Sequence, residues 1–326
     1  MNFATGKVML AVENLKKYYP VTSGWLSRHI ADVKAVDGVS FQIQEGETLG
    51  LVGESGCGKS TLGRAMLRLE EPTAGRVLYQ GQDIITWDKR RLKGLRREMQ
   101  MIFQDPQSSL DPRMTIGDSI GEALLVHGVR DERQRLEQVA ALLKQVGLEP
   151  EHAARYPHEF SGGQKQRIGI ARALSVNPKL IVADEPVSAL DVSVQAQILN
   201  LLLDLQQQFG IAFLFIAHDL SVIGHVSDRI AVMYLGRIVE LGERRELLEH
   251  PRHPYTEALL SAVSVADPHT RRQRILLPGD VPSPIQPPAG CHFHPRCPRA
   301  MKRCAQEAPL LRTVGEKQLV SCHLYD

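Results

Sequence analysis

The chain of 326 residues lacks any long apolar run and carries almost no net charge. Its longest fully apolar stretch, 211–217, has seven residues, whereas a membrane-spanning helix needs about 20. Lys and Arg total 39 and Asp and Glu total 37, so the formal charge of +2 gives no support to nucleic-acid binding. The first seven residues have neither the basic head nor the apolar core of a signal peptide. We therefore expect a protein that stays in the cytosol and neither crosses a membrane nor binds nucleic acid.

Cysteine is also scarce until the end of the chain. Cys57 stands alone, and the other four, Cys291, Cys297, Cys304 and Cys322, fall within the last 36 residues. In a reducing compartment, such a tail binds a metal more often than it forms disulfides. Four thiolates suit either zinc or an iron–sulfur cluster. The spacing C-x5-C-x6-C-x17-C lacks the short cysteine pairs that zinc sites usually use, so the pattern predicts a metal site without fixing the metal.

Strand and helix patterns alternate along the apolar parts of the chain. The segments 180–183 and 212–216 are continuous apolar runs, as expected for parallel strands covered on both faces. The segment 193–208 between them has helical periodicity. A strand at 48–52 is likewise followed by a glycine-rich loop and a helical segment at 61–69. This βαβ succession predicts an α/β fold with a mostly parallel core.

Further elements are predicted before this core and in the middle of the chain. Apolar runs at 8–12 and 39–43, bounded by turn residues, predict strands. The region 105–158 is predicted to be mainly helical. Within it, Asp131 is the expected N-cap of a helix that runs to Val146, because the apolar residues between them recur at helical spacing.

The last third of the chain predicts a hairpin and then an extended segment. Apolar runs at 230–234 and 238–241 flank Gly236, which predicts two strands joined by a turn. Five prolines lie between 278 and 288, and they predict a linker or an extended arm. This arm leads to the cysteine-bearing tail.

A phosphate-binding loop is the strongest motif in the sequence. The segment 53–61 fits G-x-x-x-x-G-K-[ST] and lies between a predicted strand and a predicted helix, the context that confirms the motif. Its backbone N–H groups and the helix N-terminus can converge on phosphate oxygens. Lys59 would bind the β- and γ-phosphates and Ser60 would bind Mg²⁺, whereas Cys57 is interpreted as a small loop residue. The segment reads Gly53, Glu54, Ser55, Gly56, Cys57, Gly58, Lys59, Ser60 and Thr61.

A pair of carboxylates follows the predicted strand at 180–183. Asp184 lies at the carboxyl end of this strand, where ligands bind in open α/β sheets, and Pro186 ends the strand. Asp184 would hold Mg²⁺ and Glu185 would orient or deprotonate an attacking water. An acidic pair after a strand is also common as a helix N-cap. The interpretation of this pair as a magnesium and water site therefore depends on the presence of the phosphate-binding loop.

A serine followed by two glycines precedes another predicted helix. Ser161 and Gln164 have the spacing of a capping box, which needs no function. Gly162 and Gly163 are poor helix formers in the first turn, and a capping box does not explain them. Close approach of an anion to the helix N-terminus does explain them.

Together these segments resemble the nucleotide-binding subunit of an ATP-binding cassette (ABC) transporter. The match covers about 240 residues in order. It comprises the loop 53–61, Gln104, the signature Ser161 to Gln164, Asp184 with Glu185, the segment 188–191, and His218.

This resemblance implies a fold and its boundaries. The expected fold is an α/β P-loop NTPase cassette with a RecA-like core, an antiparallel β subdomain, a helical subdomain and a small cysteine-rich C-terminal extension. We expect the ATP-binding core with its β subdomain at 1–104 and 159–250, the helical subdomain at 105–158 and the C-terminal region at 251–326.

The resemblance also implies roles for individual residues. Glu185, His218 and Gln104 would be catalytic, with Gln104 sensing both Mg²⁺ and water. Tyr19 would stack on adenine, with its neighbour Tyr18 as the alternative. Two cassettes would face each other head to tail, so that each ATP lies between the loop of one and the signature of the other. The implied nucleotide contacts are Tyr19, Gly53, Ser55, Gly56, Cys57, Gly58, Lys59, Ser60, Thr61, Gln104, Ser161, Gly162, Gly163, Gln164 and Asp184, and the Mg²⁺ ligands among them are Ser60, Gln104 and Asp184.

Three stretches resemble the oligopeptide and dipeptide importer branch in particular: 104–113, 186–197 and 253–256. This likeness implies two integral membrane permease subunits and a second cassette, either a paralogue or a copy of this chain, at the cytoplasmic face of the inner membrane. A periplasmic peptide-binding protein would act indirectly. It also implies a [4Fe–4S] cluster, in preference to zinc, at Cys291, Cys297, Cys304 and Cys322. The alternatives are a cassette of a related nickel, opine or other importer, or a stand-alone regulatory ATPase.

Overall fold

The computed structural model describes residues 6–23, 28–263 and 274–326. The chain divides into two compact units, the first formed by the residues up to Thr86 together with Ile216–Asp326, and the second by Trp87–Phe215. Among the described residues, no helix combines the length and the apolar composition that a membrane span requires.

The first unit begins with strands that pair mostly with their neighbours in sequence. In chain order its first elements are β1 (Val8–Ser23), β2 (Arg28–Gln44), β3 (Thr48–Val52), α1 (Lys59–Met66), β4 (Ala74–Tyr79) and β5 (Gln82–Asp83). Four of them form an antiparallel sheet in the order β2-β1-β4-β5. β1 and β2 are longer than the predicted runs at 8–12 and 39–43, because their polar halves continue the same backbone pairing as far as Ser23 and Arg28.

The second unit carries five of the helices of the described residues, and three of these lie between two parallel strands. Its elements are α2 (Lys89–Glu98), β6 (Met99–Ile102), α3 (Ile116–Val126), α4 (Glu132–Gln145), α5 (Gly162–Leu174), β7 (Leu180–Asp184) and α6 (Val192–Phe209), followed by β8 (Ala212–Ala217), which crosses the unit boundary. Helix α4 starts as predicted, because the Asp131 carboxylate accepts the Gln134 N–H at 2.7 Å. The boundaries predicted for the helical subdomain stay a prediction.

The chain then returns to the first unit and adds a second sheet to it. The elements are α7 (Leu220–Val226), β9 (Arg229–Tyr234), β10 (Arg237–Glu243), α8 (Arg244–Glu249), α9 (Pro254–Ala262), β11 (Arg312–Val314) and β12 (Gln318–Val320). Within this unit the strands follow the order β11-β12-β10-β9-β3, with β3 parallel to β9 and the others antiparallel. The predicted α/β fold is confirmed.

The predicted hairpin around Gly236 is also confirmed, as β9 and β10. Its two-residue turn has positive φ at Leu235 (42°) and Gly236 (81°), the geometry of the turns that match the twist of paired strands. The Gly236 N–H donates to the Cys57 carbonyl at 3.0 Å, so the turn supports the phosphate-binding loop.

The proline-rich segment has no helix or strand over residues 274–290, as predicted for an extended arm. One point of attachment is the Pro284 carbonyl, which accepts the Lys34 N–H at 3.0 Å. The cysteine-bearing tail that follows is built from short turns and the β11–β12 hairpin.

A buried carboxylate and a buried imidazole fix the start of helix α9. Glu240 on β10 is fully buried and accepts the backbone N–H groups of Arg252 (2.8 Å) and His253 (3.0 Å). His253, 1% exposed, caps the helix through its Nδ1, which accepts the Tyr255 N–H at 3.1 Å. Burial raises the pKa of Glu240 to about 6, whereas burial, with a smaller effect of Arg299, lowers the pKa of His253 to about 3.

These shifts predict an acid-sensitive cap at His253. Because the imidazole stays neutral in the folded chain but gains a proton when unfolded, its contribution to stability is present above pH 6.5 and is lost as pH falls toward 3. Glu240 has the opposite effect on the pH dependence of stability. Its contribution to the stability of the fold is present below pH 4.5 and is lost as pH rises through about 6. His253→Asn keeps an acceptor for the Tyr255 N–H but has no imidazole that gains a proton on unfolding. Between pH 7.5 and pH 5, the free energy of unfolding of this variant should therefore fall by about 2 kcal/mol less than that of the wild type.

Urea unfolding at the two pH values measures this difference. His250→Asn, an exposed histidine three residues earlier, is the matched control and should follow the wild-type pH profile. Equal pH profiles for His253→Asn and the wild type would contradict the prediction.

Candidate nucleotide site

The phosphate-binding loop needs glycine at two of its positions because backbone carbonyl groups lie against it. A Cβ on Gly53 would lie 2.1 Å from the Met233 carbonyl oxygen, and a Cβ on Gly58 would lie 1.9 Å from the Ala35 carbonyl oxygen. Gly58 also has φ of 103°, in the left-handed region that favours glycine, and it caps helix α1. The loop is thus a close-fitted backbone cradle at a helix N-terminus, which is the geometry for binding an anion.

Lys59 is buried and is held inside this loop. Its ammonium donates to the carbonyl oxygens of Gly53 (2.7 Å) and Glu54 (3.1 Å), and its side chain is part of a residue only 4% exposed. Both acceptors are uncharged, so the loop keeps a cation in place without neutralising it. A backbone loop of this shape, with a cation fixed inside it, is suited to binding a polyphosphate.

The remaining loop residues differ in exposure. Ser55 and Gly56 are exposed, whereas Cys57 is 3% exposed and Ser60 and Thr61 are half-buried. Burial raises the pKa of the Cys57 thiol. A buried thiol with a raised pKa is inert, which agrees with its interpretation as a small loop residue.

The two candidate adenine-stacking tyrosines point to different partners. The Tyr19 hydroxyl donates to Glu70 and is also hydrogen-bonded by the Thr61 side chain at the start of α1. The Tyr18 hydroxyl donates to Asp37, and burial together with that carboxylate raises the pKa of Tyr18 to about 12. Of the two, Tyr19 is the one connected to the phosphate-binding motif.

In the second unit, three predicted site residues come together at the ends of adjacent parallel strands. β6 and β7 pair from Met99–Leu180 to Ile102–Ala183, which brings their carboxyl ends to one edge. Gln104 Nε2 donates to Glu185 Oε2 at 2.9 Å, across 81 positions of sequence. Asp184 ends β7 and is 1% exposed, and Glu185 has φ of 45°, an unusual backbone conformation for a residue other than glycine.

The signature segment contains the expected capping box. The Ser161 N–H donates to Gln164 Oε1 (3.0 Å) and the Gln164 N–H donates to Ser161 Oγ (3.3 Å). Ser161 and Gly162 remain exposed at the N-terminus of α5. Gly163 has a packing reason as well, since a Cβ there would lie 2.5 Å from Val194 Cγ1 on α6.

His218 directly follows β8 and is exposed. It belongs to the first unit by its position in the chain. Its predicted contact with phosphate stays a prediction.

The predicted four-cysteine metal site is not supported by the structure. Over residues 6–23, 28–263 and 274–326, no three His, Cys, Asp or Glu side chains form a group that could hold a metal ion. Cys291 and Cys304 are nevertheless neighbours, since the Cys291 N–H donates to the Cys304 carbonyl oxygen at 2.8 Å. Burial raises the pKa of the Cys291 thiol to about 11.

Two contacts of the phosphate-binding loop were missed by the sequence analysis. The Glu54 N–H donates to the Tyr255 hydroxyl at 2.9 Å, and the Glu54 carboxylate pairs with Arg296 at 2.7 and 3.2 Å. Both partners lie in the predicted C-terminal region. The stretch 253–256 carries only a family likeness, and a spacing of more than 200 residues gives no local signal for either contact.

Comparison with known proteins agrees with this geometry. Residues 36–188 match the family "ABC transporter" and residues 239–304 match the family "Oligopeptide/dipeptide transporter, C-terminal region". The chain is 53% identical over 328 residues to the oligopeptide transport ATP-binding protein AppF of Bacillus subtilis (strain 168), covering 100% of both chains. It is 50% identical over 318 residues to the dipeptide transport ATP-binding protein DppF of Escherichia coli (strain K12), covering 98% of this chain and 95% of that protein.

A solved structure shares the same fold. The dimeric post-hydrolysis state of the ATP-binding cassette MJ0796, bound to ADP and Pi, superposes with a TM-score of 0.65 at 30% identity, covering 73% of this chain and 99% of that chain. Fold and motifs therefore define a P-loop cassette ATPase. The chain belongs to the family of ABC transporter ATP-binding proteins, in the branch with the oligopeptide/dipeptide C-terminal region.

Proposed function

We propose that this chain is the ATP-hydrolysing subunit of an importer of dipeptides or oligopeptides. The observation that carries the peptide assignment is similarity over the whole chain, C-terminal region included, to peptide-transport ATP-binding proteins. The cassette alone would not name a cargo, since one fold serves many functions.

In the first unit, the phosphate-binding loop grips the polyphosphate. Gly53 and Gly58 let the backbone amides approach the phosphate oxygens, and Lys59 supplies the cation for the β- and γ-phosphates. Supporting this assignment is the held position of Lys59 between two carbonyl groups. Tyr19 is the proposed adenine contact, supported by its link to Thr61, and His218 is the proposed γ-phosphate contact. Ser55, Gly56, Cys57, Ser60 and Thr61 complete the loop.

In the second unit, Glu185 is the proposed general base for water and Gln104 orients its carboxylate. The hydrogen bond between these side chains supports the pairing. Asp184 and Gln104 are the proposed magnesium ligands in this unit, and Ser60 is the proposed magnesium ligand in the first unit. Bound Mg²⁺ would neutralise charge on the β- and γ-phosphates. The barrier is lowered by positioning and charge neutralisation, because phosphoryl transfer to water needs no covalent intermediate.

A second cassette completes the site in this proposal. Ser161, Gly162, Gly163 and Gln164 would contact the nucleotide held by the partner, and the exposure of Ser161 and Gly162 at a helix N-terminus supports that role. The solved relative MJ0796 is a dimer with ADP and Pi. The partner cassette would be a paralogue or a second copy, acting with two integral membrane permeases at the cytoplasmic face of the inner membrane. A periplasmic binding protein would deliver the peptide.

The C-terminal cysteines are proposed to hold a metal centre, with a [4Fe–4S] cluster favoured over zinc. Support comes from the four-thiol chemistry and from the closeness of Cys291 to Cys304, whose backbone groups are hydrogen-bonded at 2.8 Å. Anaerobic purification should yield about four iron atoms and four acid-labile sulfides per chain. Zinc alone would overturn the cluster, and the absence of both metals would overturn the site.

Reconstitution tests the proposed function. The chain is co-expressed with the two proposed permeases and the proposed second cassette, and the complex is placed in liposomes with the proposed binding protein on the opposite face. We expect uptake of labelled dipeptide that needs ATP and stops with unlabelled peptide but not with Ni²⁺ or opines. Co-purification without any membrane protein would favour the stand-alone regulatory ATPase instead.

A further inference from the structure

The phosphate-binding loop and the C-terminal region are joined through one peptide group. This group lies between Gly53 and Glu54. Its carbonyl oxygen accepts a hydrogen bond from Lys59 Nζ at 2.7 Å, and its N–H donates to Tyr255 Oη at 2.9 Å. A trans peptide is a rigid plane in which C=O and N–H point in opposite directions. The hydrogen bond from the Glu54 N–H to Tyr255 therefore also fixes the direction of the Gly53 carbonyl group, which accepts from the Lys59 ammonium.

Tyr255 is well placed to act as a fixed acceptor. The residue is fully buried, and its ring packs on Tyr234 and Phe293 at centroid distances of 4.8 and 5.4 Å. Its backbone N–H is bound by the His253 cap. A hydroxyl on a ring that cannot swing aside loses little entropy when it fixes the loop.

Arg296 fixes the side chain of the same loop residue. It is 7% exposed, and both of its terminal nitrogens pair with the Glu54 carboxylate. Its guanidinium lies 5.9 Å from the centre of the Tyr234 ring. The Arg296 side chain is 9% exposed and the Glu54 side chain 28% exposed, so the pair is buried mainly on the arginine side. The two parallel contacts hold the Glu54 carboxylate in one orientation.

We propose that Tyr255 and Arg296 are positioning residues for ATP binding, acting through Glu54 on the loop that carries Lys59. The inference rests on the proposed ATPase function. It makes the C-terminal region a structural part of the nucleotide site, although neither residue touches the phosphates. Loss of either contact lets the 53–54 peptide rotate, and the ammonium then loses the carbonyl that holds it.

Tyr255→Phe is the first test, since it removes only the hydroxyl and keeps the packing. The Kd and KM for Mg²⁺–ATP should rise about three- to tenfold, the range expected from one hydrogen bond. The kcat at saturating ATP should stay unchanged, because the variant weakens binding of the ground state and of the transition state equally. The matched control is Tyr325→Phe, which removes a bond of similar length, from its hydroxyl to the Arg252 carbonyl at 3.0 Å. This control should leave ATP affinity unchanged.

The ion pair has its own test and control. Arg296→Gln should raise the Kd for Mg²⁺–ATP. Arg296→Lys should raise this Kd by less, and Arg299→Gln should not raise it. Arg299 pairs with Glu257 and flanks Cys297 as Arg296 does, but it does not pair with Glu54. If Arg296 acts through Glu54, the double variant Glu54→Gln with Arg296→Gln should bind ATP no worse than Arg296→Gln alone.

The outcomes separate this inference from the proposed function. A full-length wild-type chain that fails to bind Mg²⁺–ATP contradicts the proposed function. A wild type that binds it while Tyr255→Phe and Tyr325→Phe bind it equally well contradicts only the positioning role. The melting temperature of each variant shows that it is folded, and the Arg296 series tests the positioning role even if Tyr255→Phe is unstable.

Discussion

Replacing Glu185 with glutamine should lower the ATPase kcat of the assembled transporter by about 100-fold or more, the usual contribution of a positioned general base. Glutamine matches glutamate in size, and its side-chain oxygen can still accept the hydrogen bond that Gln104 Nε2 donates to Glu185 Oε2 at 2.9 Å. It cannot accept a proton from water. Geometry is kept and only the base is lost, so the Kd for Mg²⁺–ATP should change little.

Glu137→Gln is the control for this change. Glu137 lies on the exposed face of α4, paired with Arg133 at 3.2 Å, far in sequence from the proposed site. Single-turnover hydrolysis measured on both variants isolates the chemical step. A Glu185→Gln chain that hydrolyses ATP at the wild-type rate would remove Glu185 from its proposed role.

Much of the fold was predictable because its signals are local. Strand β3 was predicted with its correct bounds from a short run between turn residues, and helix α4 from its cap and periodicity. Strand β6 was missed. Its four residues are too few to show a period, and they follow directly on a highly charged helix. Only pairing with β7 identifies it. The position of Gln104 beside Glu185 therefore depends on a strand with no sequence signature.

Parts of the site were not predictable because they depend on contacts distant in sequence. The sequence explains Gly163 by anion binding, yet a Cβ there would lie 2.5 Å from Val194 Cγ1, so helix packing also favours a glycine at this position. Tyr255 and Arg296 contact the loop across 201 and 242 positions of sequence, respectively. The motif shows which loop binds phosphate but not what supports it from outside.

Replacing Gly58 with alanine should abolish most ATP binding. The backbone there has φ of 103°, which costs an alanine about 1–2 kcal/mol. The added Cβ would also lie 1.9 Å from the Ala35 carbonyl oxygen, a backbone atom that cannot turn aside as a side chain could. Such overpacking adds about 1–3 kcal/mol. Because Gly58 caps the helix that carries Lys59, the strain falls on the phosphate-binding loop, and the Kd for Mg²⁺–ATP should rise about 100-fold or more.

Gly128→Ala separates the two causes. Gly128 has φ of 106°, nearly the same backbone conformation, but no atom lies within 4 Å of an added Cβ. It should therefore show the conformational cost in its free energy of unfolding and no loss of ATP affinity. If both variants lose stability equally and both bind ATP normally, the contact with Ala35 does not shape the loop. If Gly58→Ala alone loses ATP, the close fit of the backbone around the phosphate-binding loop is what the glycine provides.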